Sequence, residues 1–225
     1  MVRMRKIAKN FIHIYIANIK KNCHYFLCCA FIFFLTLGTI DSWAYKPVKG
    51  KISAATGPFF LLSDSFKGID NFYEKPEPGW SLIAEAVLGE TSGLEIGLFY
   101  FTKRYLRTLD DKYLIQKGKR VYITTGYRYW FSSYFSTSLN LYSSYTIGDT
   151  KDIYRSNGLP SDFKTSAEKI TNYGLDASLR YEYSFDQVHG LAFDTRYSYS
   201  VTAKDNEDSN TISIGIYYMR EVPVK

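Results

Sequence analysis

"SLRYEYSFDQVHGLAFDTRYSYS", residues 178–200, alternates aromatic and aliphatic side chains with arginine, glutamate and aspartate on both sides of a short turn. A period of two sends the two kinds of side chain to opposite faces of an extended strand. Before the turn, Tyr173, Leu175, Ala177, Leu179, Tyr181 and Tyr183 share one face, opposite Gly174, Asp176, Ser178, Arg180 and Glu182. After it, Leu191, Phe193, Thr195, Tyr197, Tyr199 and Val201 oppose Ala192, Asp194, Arg196, Ser198 and Ser200. The preceding segment divides likewise, Phe135, Thr137, Leu139, Leu141, Tyr145 and Ile147 against Ser136, Ser138, Asn140, Tyr142, Ser144 and Thr146. Faces rich in Arg, Asp, Glu, Asn and Ser cannot fill a dry core without a heavy desolvation cost. The apolar faces are therefore expected to point outward.

The alternation recurs in eight segments, about 51–62, 80–88, 94–106, 120–131, 135–147, 171–184, 190–202 and 211–220, and nothing reads as a long amphipathic helix. Pro58 lacks a ladder donor, so a bulge or strand end is expected beside it. Three links are tight, "GETSG", "SSY" and "FDQVH"; the others, 63–79, 107–119, 148–170 and 203–210, are longer and polar. Strict alternation of long and short links gathers the short turns at one end. The expectation is all-β: an eight-stranded antiparallel up-and-down barrel. An outward apolar band on a closed barrel is what lipid requires, because closure satisfies every backbone donor and acceptor. A soluble ligand-binding barrel or sandwich would turn its apolar faces inward. Tyr129, Phe131, Phe135, Tyr181, Tyr183 and Tyr218 fall toward the short-turn end and Trp80, Tyr145 and Tyr173 toward the other, as two interfacial girdles.

The first 44 residues differ from the rest. Arg3, Arg5, Lys6, Lys9, Lys20 and Lys21 precede the apolar run "FLCCAFIFFLTLGTI", and Ser42 and Ala44 place small residues before a cut ahead of Tyr45. This layout predicts a secretory signal over 1–44 and a barrel domain over 45–225. The alternative, an uncleaved anchor, needs about 20 apolar residues, more than this run supplies. Cys23, Cys28 and Cys29 all lie in this segment, so the exported chain carries no thiol or disulfide. Leu27 before Cys28 disfavours a lipid anchor. The six basic residues supply most of the net charge of +6, leaving a nearly neutral remainder and no basis for nucleic-acid binding.

Over nearly all of 51–220 the chain resembles the small eight-stranded outer-membrane barrel proteins of diderm bacteria, the class of OmpX and the OmpA barrel. The resemblance implies short turns toward the periplasm, long loops outside, and a monomer set in outer-membrane lipid and lipopolysaccharide. It also implies that "TISIGIYYMR" is read by the barrel-insertion machinery, with Ser213, Gly215 and Tyr218 at the matching polar, glycine and aromatic positions. Arg220 and the tail "EVPVK" depart from that pattern.

Carried through the remaining strands, the parity points Glu85, Glu95, Lys103 and Arg128 inward, beside Asp176, Arg180, Glu182, Asp194 and Arg196. Glu85, Arg128, Glu182, Asp194, Arg180 and Arg196 fall in one storey, Lys103 and Asp176 in a second. Such charges should pair into a plug, because an eight-stranded interior is just wide enough for side chains. A narrow channel for ions or small solutes is the alternative. Enzyme chemistry has little support: His189 sits in a turn without the His-x-Ser arrangement of the lipid A deacylase barrels, and neither metal nor cofactor is expected. The loops could contact a surface ligand of unknown identity, with Phe72, Tyr73, Tyr154 and Phe163 as first candidates.

Overall fold

The computed structural model describes residues 48–63, 76–165, 171–202 and 210–222. The expected signal segment with its three cysteines, and the loop residues Phe72 and Tyr73, lie outside the described residues. Eight strands, β1 (Ile52–Ser63), β2 (Glu77–Val87), β3 (Ser92–Leu109), β4 (Lys112–Trp130), β5 (Phe135–Arg155), β6 (Asn172–Ser184), β7 (His189–Ser200) and β8 (Thr211–Val222), each pair antiparallel with the next. β8 pairs with β1 and closes the barrel.

The faces divide as alternation requires. Leu139 and Leu141 are each 63% exposed on the outer surface of β5, while Ser138 and Asn140, which alternate with them, are buried. Leu94, Ile96 and Leu98 of β3 and Ile212, Ile214 and Ile216 of β8 are likewise exposed. Among the described residues most of the large aliphatic side chains therefore face outward, the reverse of a water-soluble fold.

Three differences from the sequence reading matter. The stretch 107–119, read as a long loop, is mostly strand: β3 and β4 pair up to Leu109↔Lys112 and turn on Asp110 and Asp111 alone. Asp110 takes φ +52°, a left-handed conformation that aspartate tolerates better than most residues. Lysines and glutamine concealed the strand, although Leu106 and Ile115, opposite one another across the ladder, bury together. β5 also continues past Ile147 to Arg155 through register shifts against β4. At Pro58 the strand neither ends nor bulges. The β1–β8 ladder skips Gly57 and Pro58 and resumes at Phe59↔Gly215 with the same count on both sides.

About 9–11 residues span a bilayer as a tilted strand. β1, β2, β6, β7 and β8 have 11 to 13, whereas β3, β4 and β5 have 18, 19 and 21. The long three form a ribbon rising beyond their neighbours at the long-loop end. The start of the β5–β6 link folds onto it: Thr165 donates through N and Oγ1 to Gln116 Oε1 at 2.9 and 2.6 Å, and Arg107 lies 4.5 Å from the Phe163 ring centre.

Close approach of β4 and β5 depends on Gly126, where an added Cβ would lie 2.1 Å from the Leu139 carbonyl oxygen. Gly126→Ala is expected to force these strands apart and lower unfolding stability by about 1–3 kcal/mol. A urea midpoint equal to that of the unaltered protein would refute the close approach.

Candidate functional site

The barrel interior concentrates the charged chemistry. Arg128 projects inward from β4, Arg180 from β6 and Arg196 from β7, none more than 2% exposed. Five carboxylates face them: Glu85 (β2), Glu95 (β3), Asp176 and Glu182 (β6), and Asp194 (β7). Strand alternation carries all eight to the lumen. Antiparallel register then sets their heights, with Glu85 opposite Glu95 and Arg180 opposite Asp194.

Glu95 is the hub. Its Oε2 accepts from Arg128 Nε at 2.7 Å and from Arg128 Nη2, its Oε1 accepts from Arg196 Nη2 at 2.8 Å, and Arg180 Nη2 stands 3.6 Å away. Glu85 bridges two of these arginines, 3.0 Å from Arg128 Nε and bonded to Arg180 Nη1. Asp194 takes Arg180 Nε at 2.9 Å and Arg196 Nε at 3.1 Å. Asp176, placed by the sequence in a second storey with Lys103, instead bonds Arg196 Nη1 at 2.9 Å and belongs to this cluster. The reason is length: an arginine side chain reaches down from one strand level to the next.

Guanidiniums do not satisfy these acids alone. Glu182 is held by Trp130 Nε1 at 3.0 Å and Ser136 Oγ at 2.8 Å, with Arg180 only at 3.9 Å. Asp176 also accepts from Asn140 Nδ2 at 3.1 Å and Ser198 Oγ at 2.9 Å, and Glu85 from Ser53 Oγ at 3.1 Å. Lys103 is buried in the lumen further toward the long-loop end, its Nζ 5.9 Å from the Tyr105 ring centre.

Sequence reading missed two parts of this interior. Arg120 is buried, donating to the Tyr105 hydroxyl at 2.7 Å and to the Ser144 carbonyl at 3.2 Å. It shares the parity of Arg128 on β4, a signal overlooked because the strand was read as beginning there. The second part is aromatic. Phe59, Phe99, Phe101, Tyr122 and Tyr142 are buried and pack ring against ring, with centroid separations from 4.4 to 6.3 Å. Phe99 and Phe101 share the parity of Glu95, but their neighbours Leu98 and Tyr100 are also apolar and mask the alternation. Phe59, Phe99, Phe101 and Tyr122, with Asp176 and Arg196, line a cavity of only about 20 Å³, room for little more than a water molecule.

The other candidates are scattered. In β8, Ser213 faces inward and Tyr218 outward, and Gly215 faces the ring of Tyr217. Tyr154 stacks on Tyr113 at 4.7 Å, and Phe163 is covered by Arg107. His189, read from the sequence as a turn residue, is the first residue of β7, with its Nδ1 3.0 Å from Asp186 Oδ2 in the turn before it. That hydrogen bond, with those from the Val188 and His189 backbone, pulls the Asp186 carboxyl down to about 2. The pair organises the turn.

No family model and no curated protein matches the chain. Solved structures do. The outer membrane protein OprG from Pseudomonas aeruginosa aligns with 82% of this chain and all of its own, at 13% identity and a TM-score of 0.53. Ail, the attachment invasion locus protein of Yersinia pestis, aligns with 76% of this chain and 99% of its own, at 14% identity and 0.46. Neisserial surface protein A aligns with 77% and 96%, at 12% and 0.39. At these identities what is shared is the fold, that of the small eight-stranded outer-membrane barrels.

Arg128 touches Glu85, Glu95 and Asp194, so its loss removes one cationic partner from each of three buried acids. Arg128→Ala is expected to cost about 3–5 kcal/mol, the range for breaking a buried ion pair. Unfolding in urea would measure it, and a loss below about 1 kcal/mol, the scale of a surface pair, would show that the network does not bear on stability.

Proposed function

We propose that this protein is exported and resides in the outer membrane as a monomeric barrel without enzymatic activity, its lumen sealed by the arginine and carboxylate network and its ribbon and loops presented outside. The observation that carries the reading is the inversion of the two faces: an exposed belt of leucine and isoleucine surrounds an interior of fully buried arginines. In water such a belt is an aggregation hazard, whereas in lipid it is the required solvent contact. The orientation follows the short turns, which face the periplasm in this reading, and Ser213, Gly215 and Tyr218 of β8 would then present the insertion signal.

The role is structural or one of surface interaction. Each guanidinium contacts acids on two or more strands, which supports a filled interior and makes conduction the less favoured activity. Of the proposed contact residues, Phe163 is engaged by Arg107, while Tyr154, 41% exposed and stacked on Tyr113, offers an aromatic platform near the ribbon tip.

Two measurements test this. Single-channel recording of the folded barrel is expected to be silent, and a steady salt-dependent current would establish a pore lined by the same arginines. Leu139→Arg separates lipid from water as the surrounding medium. Leu139 sits between Phe135 and Tyr145, midway between the proposed girdles. In a membrane the substitution is expected to cost about 2–4 kcal/mol. An exposed position in water would tolerate it within about 0.5 kcal/mol, and that result in a vesicle-reconstituted unfolding series would overturn the membrane reading.

A further inference from the structure

The outer face of the ribbon carries charge in an arrangement that its own residues do not balance. Cross-strand register sets Arg104 of β3 directly opposite Lys117 of β4, and Lys117 opposite Lys151 of β5. One level closer to the barrel, Lys119 stands between Thr102 and Ile147. Parity is kept through the β5 register shift. Arg104, Lys117, Lys119 and Lys151 therefore share one outward surface, all at least partly exposed.

Like charges directly opposite on one sheet face destabilise the pairing, so three in a row across three strands require a counter-charge. Glu77 at the start of β2 supplies one, 2.6 Å from Arg104 and 3.4 Å from Lys117. Asp149 in the register shift is exposed, beside Lys151 in sequence. Among the described residues, two acids against four cations leave a positive surface.

Its height decides what it meets. One level below Lys119 lies the row Trp80, Tyr100, Val121 and Tyr145, in which the three rings are between 41% and 57% exposed. Amphipathic rings mark the boundary between hydrocarbon and headgroups. The four cations stand one and two levels above that boundary, at the depth of lipid phosphates. One level higher, Leu106 and Ile115 are buried and uncharged beside the exposed Tyr154, so the positive charge forms a collar rather than a general coating.

We infer that this collar is a binding site for the phosphate group of an anionic lipid in the surrounding leaflet, with Lys117 and Lys151 as its principal ligands and Arg104 held in place by Glu77. The inference rests on the membrane reading above. A phosphomonoester is the best fit: it carries more than one negative charge and several acceptor oxygens, enough to engage both lysines across adjacent strands.

The test uses the purified protein reconstituted in phosphatidylcholine vesicles with or without phosphatidic acid, with mass spectrometry of the lipid it retains after extraction. Heat-modifiable gel mobility reports the folded barrel. The unaltered protein is expected to retain phosphatidic acid in preference to phosphatidylcholine. The double variant Lys117→Gln, Lys151→Gln is expected to reduce that retention roughly tenfold or more, since each cation near an anionic surface contributes on the order of 1 kcal/mol. Lys49→Gln, at the opposite end of the barrel, is expected to leave it unchanged. Equal retention by the double variant and the unaltered protein, both folded and inserted, overturns the collar and leaves the membrane reading standing. Displacement of phosphatidic acid by an equal concentration of inorganic phosphate overturns the lipid assignment. A folded chain that fails to float with vesicles overturns both readings.

Discussion

The barrel depends on how it disposes of three arginine side chains that water cannot reach. Arg128, Arg180 and Arg196 come from three strands and converge on carboxylates carried by four. Burying a charge is costly and burying it unpaired is far worse, so each guanidinium is acceptable only while the opposite strands hold their acids at the right height. The carboxylates outnumber these guanidiniums. The excess is met by neutral donors, Trp130 and Ser136 at Glu182 and Asn140, Tyr122 and Ser198 at Asp176. A network so constituted joins β2, β3, β4, β6 and β7 through side chains as the backbone ladders join them through peptides.

Much of this architecture is legible in the amino-acid sequence. Alternation in β5, β6 and β7 is unbroken, and it settled which side chains face the lumen from Ser136 to Arg196. Legibility fell where a second pattern overlay the first. Phe99 and Phe101 lie between apolar outward residues, so nothing in the local sequence separates ring-in from ring-out. In β3 and β4 beyond Lys103, polar residues occupy both faces because both leave the belt of exposed aliphatic side chains. A strand there no longer shows the contrast by which strands were recognised, and 107–119 resembled a loop. Heights were less legible than faces. Parity assigns a side, but only the register and the reach of Arg196 show that Asp176 joins the main cluster.

The interior is divided along its length. Most of the buried charges lie in the half nearer the short turns, and the rings, with Lys103 and Arg120 beside them, lie in the half nearer the ribbon, Arg196 standing 4.9 Å from the Phe99 ring centre where the two meet. That boundary is chemically consistent: a guanidinium stacks on an aromatic face while its N–H groups remain in plane for the acids. The aromatic half packs as an ordinary core, so the charged half need not supply stability by itself.

What the charged half supplies is register. Side chains in a strand have a period of two, and a slip of one residue between neighbours would turn the inward set of an entire strand outward. A slip of β6 alone would expel Asp176, Arg180 and Glu182 and draw Leu175, Leu179 and Tyr181 into the lumen. On the membrane reading each expelled charge near mid-bilayer carries a penalty of up to about 2–4 kcal/mol, while the arginines left behind lose their partners. Both penalties act together and in the same direction. A polar interior that contributes little net energy in the correct register thus becomes strongly unfavourable in every neighbouring one, and this difference selects a single closed barrel from the many that the backbone hydrogen bonds alone would permit.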